Sequence, residues 1–211
     1  MTPTSPPSGR KEPLRLPPPD KVGRMSVELA LLRRRSVRAF SQRPLPLTAV
    51  SQLLWAAQGM TAADGGRTAP SAGGLWPLEL HLVASRIEGL APGLYRYSPA
   101  SHALFCTASE VLVPKLAKAS LEQDFIAEAA AVVLIAAVEG RTSRKYRSDA
   151  PRYVAFEAGA AAQNLALQAV ALGLGTVVVG AFDEDAVGKL ARLAAGERPL
   201  FLMPVGYPAS R

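Results

Sequence analysis

R-R-R-S-V-R-A-F, residues Arg33 to Phe40, crowds four guanidiniums and one hydroxyl between Arg33 and Arg38, with the ring of Phe40 close behind. An arginine presents a rigid fork of donors that matches a phosphate, and Ser36 adds a hydroxyl donor. The same octapeptide also reads as the basic end of a helix, where cations complement the dipole without any ligand. Ser26 is a good N-cap and Glu28 sits in the first turn, which predicts a helix running to about Arg35. The basic cluster then starts in the last helical turn and continues into an extended Val37 to Phe40. Taken alone, the basic helix end is the simpler reading. The rest of the chain has to decide.

The charge distribution is the first outside constraint. The 211 residues carry a formal net charge of +7. Residues 1–43 hold ten Lys/Arg against Glu12, Asp20 and Glu28, while residues 44–211 hold fourteen of each sign. A neutral body with positive charge focused at one end favours a small anionic ligand over a polyanion and argues against nucleic-acid binding. Apolar content of 49% predicts one packed globular unit. No apolar run reaches bilayer-spanning length and residues 1–19 lack a hydrophobic signal core, so a cytoplasmic protein without membrane attachment is expected. Cys106 is the single cysteine, and His81 and His102 are the only histidines. That inventory argues against a disulfide or a zinc site, and both histidines are expected at strand or loop edges.

Along the chain, the Pro-rich segment 1–24 predicts an extended or disordered arm, because proline withholds ladder donors; residues 25–211 form the domain. Thr48 caps a helix with apolar positions Val50, Leu53, Leu54 and Ala57, closed by Gly59. Thr61 to Gly74 is loop-like. Leu78 to Ala84 predicts a strand, and Gly93 to Tyr97 with Ala103 to Thr107 a hairpin. A helical region from Ser109 to Ala129 precedes the apolar strand Ala131 to Val138, followed by a polar, basic loop from Glu139 to Pro151. The longest helix is expected from Arg152 to Leu172, with Glu157, Asn164 and Gln168 on one stripe. That stripe, with Ala160, Ala161 and Ala162 between its members, faces either solvent or a close-packed neighbour. A strand at Thr176 to Gly180, a helix at Asp183 to Ala194 and a strand at Leu200 to Gly206 complete the chain. Irregular alternation of strands and helices indicates an α+β fold.

Five ordered segments resemble the nitroreductase-like flavoproteins, and within them the SagB/ThcOx-type dehydrogenases. They are Arg34 to Phe40 (R-R-S-V-R-A-F), Leu53 to Gly59 (L-L-W-A-A-Q-G), Arg67 to Glu79 (R-T-A-P-S-A-G-G-L-W-P-L-E), Gly159 to Gly175 (G-A-A-A-Q-N-L-A-L-Q-A-V-A-L-G-L-G) and Val177 to Phe182 (V-V-V-G-A-F). The resemblance implies a central, mostly antiparallel sheet flanked by helices and a homodimer built around the long helix. It also implies FMN at the dimer interface, with NADH or NADPH as a co-substrate. Arg34, Arg35, Ser36 and Arg38 match the phosphate and ribityl contacts, joined by Arg211 as in some relatives. Pro70, Ser71, Ala72, Gly73 and Gly74 match the loop passing the flavin ring. Val179 and Gly180 match the segment whose amides face the flavin N5/O4 edge. Gly74 and Trp76 replace the Asn and Gln that many nitroreductases carry, and Ala160 stands where SagB-type relatives commonly have His.

Lys145 and Tyr146 resemble the Lys-Tyr pair of azoline-oxidising dehydrogenases, where a base must take a proton as hydride leaves; a solvated basic loop is the alternative. The implied function is an FMN oxidoreductase acting on a small molecule, such as a nitroaromatic or quinone, or on a peptide azoline. A non-catalytic flavin- or partner-binding protein on the same fold is the contrasting class.

Overall fold

The computed structural model describes residues 12–209. Within them, strands β1 (Leu14–Arg15), β2 (Leu78–Ala84), β3 (Gly93–Ser98), β4 (Ala103–Ala108), β5 (Ala131–Val138), β6 (Gly175–Thr176) and β7 (Glu197–Gly206) form one sheet. Its order is β1-β4-β3-β2-β5-β7-β6 and its ladders are antiparallel. The helices are α1 (Val27–Arg33), α2 (Leu47–Gln58), α3 (Val113–Ala119), α4 (Phe125–Glu128), α5 (Gly140–Tyr146), α6 (Ala150–Ala171) and α7 (Glu184–Leu190). This is the expected α+β architecture.

The sequence of β5, A-V-V-L-I-A-A-V, has no polar alternation because both of its faces are covered. Val133, Ile135 and Ala137 join a core with Leu53 and Leu54 of α2 and Val154, Ala158, Ala161 and Leu165 of α6. Val132, Leu134 and Ala136 pack on the opposite side with Leu116 of α3, Ile126 of α4 and Val187 of α7. Each fully buried Val, Leu or Ile contributes about 1.5–3 kcal/mol, so two cores sharing one strand make β5 the backbone of the fold. Helix α6 spans nearly the anticipated residues, with Pro151 in its first turn; α2 lies where expected but starts at Leu47, so Pro46 and not Thr48 occupies its N-cap and Thr48 lies inside the helix.

Three expectations need correction. The polar stretch after β5 is helical rather than a loop, as α5 followed by a 3-10 turn at Arg147–Asp149. Its R-T-S-R-K-Y has no apolar period to announce a helix; buried Thr142 and the bond from Ser143 Oγ to Glu139 O hold it instead. The helical region Ser109 to Ala129 divides into α3 and α4, because Leu121 and Glu122 both adopt left-handed backbone that no α-helix continues. The strand expected from Thr176 to Gly180 stops at Thr176, and only Val179 re-engages the sheet, exchanging two 2.9 Å backbone bonds with Leu202.

The arm also departs from the proline argument. Leu14 and Arg15 pair with Leu104 and Ala103, so the chain reaches the sheet edge between its prolines. The anchor is His102 in the β3–β4 turn. Its Nε2 lies 3.0 Å from Pro17 O and 2.7 Å from Ser51 Oγ, and its Nδ1 lies 2.9 Å from Tyr97 Oη. Ser51 Oγ in turn donates to Pro17 O at 2.6 Å. His102 thus sits in a turn as expected, whereas His81 is no edge residue: it is buried mid-strand and paired with Glu197.

Burial lowers the pKa of His102 from its ordinary 6.5, against a smaller opposing effect of its bond to Pro17. The neutral ring is therefore the one that fits the fold. At pH above 6.5 neither the folded nor the unfolded chain protonates it, and the interaction is intact. As pH falls through 6.5 toward the lowered value, the unfolded chain binds a proton that the folded one resists, and stability is lost. The melting temperature of the protein should fall more steeply over this window than that of His102→Gln; parallel curves would contradict the assignment.

Candidate active site

Helix α6 supports the loop from Pro70 to Gly74. Its carboxylate at Glu157 is buried, and Oε1 accepts from the Ala72 N–H at 2.8 Å. Desolvation raises the pKa of Glu157, opposed by the bonds from Ala72 and Ser71 and by the charge of Arg67. Farther along, Asn164 Nδ2 donates to Thr68 O at 3.0 Å, and Gln168 Oε1 accepts from Gln52 Nε2 at 3.2 Å. The polar stripe of α6 thus faces inward and pins the chain segment before β2, rather than facing solvent. This positioning role was not read from the sequence, although the stripe itself was its visible signal.

The pinned loop turns through Ala72–Gly74 as a 3-10 segment in which Gly73 (φ 63°) and Gly74 (φ 65°) are left-handed. Gly73 is constrained twice over. A Cβ placed on it would lie 2.9 Å from Lys145 Nζ and 3.1 Å from Tyr146 Oη. Two stretches singled out separately in the sequence, the glycine loop and the Lys-Tyr pair, are therefore one cluster in space. Lys145 is exposed and Tyr146 half-buried. The Tyr146 ring packs on Tyr153 of α6, with centroids 4.6 Å apart. Pro70, Ser71 and Ala72 line a cleft of about 530 Å³ with Tyr153, Phe156 and Glu157. Phe156 is 69% exposed, so this cleft opens to one side over an apolar surface.

Trp76 is neither buried core nor free. Its N–H donates to Ser71 Oγ at 2.9 Å, its carbonyl accepts from Arg141 at 2.7 Å, and the Arg67 guanidinium lies 4.7 Å from its ring centroid. It braces the loop from behind.

The basic cluster lies elsewhere. After α1, Val37 N–H donates to Thr176 O at 3.0 Å and Ser36 bridges Thr176. Gly175 is required there, since a Cβ on it would come within 2.6 Å of the Val37 side chain. Phe40 is buried against Gly206. These contacts hold Arg34, Ser36 and Arg38 at the surface beside the segment leading to Gly180. Among the described residues, none of Arg34, Arg35 and Arg38 forms an ion pair with a carboxylate. Arg35 turns back to donate to Leu32 O (3.0 Å) and Arg34 O (2.7 Å), as a basic helix end does. Arg38 lies 5.9 Å from the Phe125 ring centroid. Val179 cannot offer its amide to a ligand, because that N–H is bonded to Leu202 O; of the two amides expected to face a flavin, only that of exposed Gly180 remains. Arg211 lies outside the described residues.

The two groups are separated by the length of α6. Glu157 holds Ala72 near one end, and Leu172 leads into Gly175 and the Ser36 segment at the other. Fifteen residues at 1.5 Å each put roughly 22 Å of helix between Glu157 and Leu172. Within one chain, the arginine cluster and the glycine loop lie at opposite ends of this stretch of α6.

Comparison with known proteins decides the family. The model of the nitroreductase family matches residues 31–207. The chain belongs to the nitroreductase family. A nitroreductase-named protein of Methanocaldococcus jannaschii, MJ1384, is 42% identical over 185 residues, which covers 88% of this chain and 92% of the relative. A crystal structure described as a nitroreductase from Ralstonia eutropha JMP134 superposes with a TM-score of 0.84 at 33% identity, over 95% of this chain and 91% of that one. The Escherichia coli microcin synthetase McbBCD complex, solved with truncated pro-MccB17 bound, shares the fold at 24% identity and a TM-score of 0.75, over 95% of this chain and 79% of the matched chain. Nitroreductase-family membership makes the chain an oxidoreductase by class. Among the described residues no helix is long and apolar enough to cross a membrane.

Proposed function

We propose that the chain is an FMN-dependent oxidoreductase whose site forms between two copies of itself, passing electrons from NADH or NADPH to a small acceptor such as a quinone or nitroaromatic. The observation that carries this reading is the separation of the half-sites across α6: unneutralised arginines at one end, and the glycine loop with Lys145 and Tyr146 at the other. A second copy running in the opposite sense would bring one chain's arginines to its partner's glycine loop. The exposed apolar residues Val27 (65%), Leu31 (52%) and Leu32 (69%) of α1, together with Phe156 of α6, give such a copy a surface to cover. The nitroreductase family generally uses FMN and NAD(P)H.

The residues fit that group in part. Arg34 and Arg38, with the Ser36 hydroxyl, would hold its phosphate as charge-assisted donors. Arg35 would add a further donor only by leaving the helix carbonyls. Gly73 and Gly74 would let the backbone approach a flat ring, and the Gly180 amide would face its edge. FMN, when bound, supplies the hydride-carrying ring. The chain's own contribution is orientation, exclusion of water and a proton-handling pair, Lys145 and Tyr146, held on the glycine loop.

That pair supports a second reading, the SagB/ThcOx-type branch with azoline oxidation in a modified peptide. There a base on the cleft would accept the proton that leaves carbon as hydride departs. The microcin synthetase likeness shows a shared fold and no more.

The full chain, purified without added cofactor, should be yellow and dimeric by light scattering. Its flavin band should bleach anaerobically with NADH or NADPH and return with menadione or nitrofurazone. A colourless monomer that FMN does not reconstitute would refute the reading.

A further inference from the structure

A second cavity of about 550 Å³ lies where β2 begins and β3 ends, lined by Leu78, Leu80 and Tyr97 among others. Its size is that of a small-molecule site. Its lining is unusual in charge: Arg67, Arg96 and Arg141 against one carboxylate, Glu79. Glu79 is fully engaged, with Oε2 accepting from Arg96 at 2.9 Å and Oε1 from Arg141. Arg67 has no carboxylate in reach of a hydrogen bond among the described residues. It donates to the neutral amide of Gln58 at 2.9 Å and lies over the Trp76 ring. Half-buried and without an ion pair among the described residues, it is disfavoured as a cation: desolvation is the main cause of its lowered pKa, the nearby charge of Glu79 offsets part of it, and Arg141 adds to the lowering.

A desolvated guanidinium facing a cavity, its nearby carboxylate Glu79 already taken up by Arg96 and Arg141, is an arrangement that a bound anion would relieve. Phe105, 42% exposed, adds an apolar wall beside the charges. We propose that this cavity binds a small organic oxyanion, a carboxylate or phosphate ester carrying an apolar body, with Arg67 as its principal anchor and Arg96 and Arg141 as flanking donors. The site is separate from the flavin reading and does not depend on it. Because Arg67 rests on Trp76 and Arg141 holds its carbonyl, the occupant would bear on the segment that carries Gly73 and Gly74.

Calorimetric titration of the full-length chain at low ionic strength with benzoate, phenyl phosphate and benzamide tests this. Benzoate or phenyl phosphate should bind saturably, and the tighter of the two identifies the preferred oxyanion; benzamide, the same body without charge, should not bind. Arg67→Gln should weaken the anion about 10–100-fold, the effect of one lost bond to a charged group. Should that variant fail to fold, Arg96→Gln alters a side chain 48% exposed and should still weaken binding several-fold. Absence of anion binding, equal binding of benzamide, or affinity unchanged in the folded variants would each overturn the proposal.

Discussion

Replacing Arg34 and Arg38 together with alanine is expected to leave a folded protein that has lost most of its affinity for FMN. Among the described residues neither side chain is in an ion pair, and the backbone around them is held by Val37 on Thr176 and Phe40 on Gly206, which the substitutions do not touch. The fold should therefore persist, with far-ultraviolet circular dichroism unchanged. Hydrogen bonds to charged partners contribute about 1.5–3 kcal/mol each, so two lost guanidiniums raise the dissociation constant by roughly 10²–10⁴. Fluorescence titration of the apoprotein with FMN measures this directly. Arg35→Ala is the internal control, because its guanidinium is turned onto helix carbonyls; it should have a smaller effect. Flavin affinity unchanged in the double variant would return the motif to a basic helix end.

The second large effect concerns Lys145. Lys145→Met keeps an unbranched side chain beside Gly73 and removes the group that can exchange a proton. General acid–base catalysis is worth about 10²–10⁴ in rate, and a loss of that size is expected for any dehydrogenation that must take a proton from carbon, with flavin content unchanged. Reduction of the bound flavin by NADH needs no such base and should remain within a few-fold of the parent. Stopped-flow absorbance separates the two half-reactions, with a thiazoline-containing peptide as the test donor. A normal rate with an oxidisable thiazoline would assign Lys145 to solvent; loss of NADH-driven reduction as well would instead implicate the loop it supports.

Much of what the chain announces locally, the structure keeps. The unbroken apolar run of β5 states its own burial on two faces, and the Val, Leu and aromatic alternation of β2 to β4 states a hairpin sheet. The length of α6 follows from Pro151 at its start and the glycines at its end. The chemistry-bearing motifs were legible too, since arginine-rich, glycine-rich and Lys-Tyr segments stand out from a neutral, apolar background.

Only the tertiary structure decided how these motifs relate. Helix α5 has no apolar period, so nothing in R-T-S-R-K-Y foretells a helix that delivers Lys145 and Tyr146 to Gly73, more than seventy residues earlier. The inward turn of Glu157, Asn164 and Gln168 depends on where α2 and the Thr68 to Ala72 segment pack, which a helical wheel cannot show. The Val179 amide reads as available until Leu202 is seen to take it. The cluster at Arg33 to Phe40 is itself divided by packing: Arg35 turns onto carbonyls at its helix end, while Arg34 and Arg38 have no ion-pair partner among the described residues. Periodicity and composition act over a few neighbouring residues, so the sequence by itself determined most of the elements but not α5, the break at Leu121 or the end of β6. The separation of the arginine cluster from the glycine loop is set by long-range contacts at the two ends of a helix roughly 33 Å long, and that belongs to the tertiary structure alone.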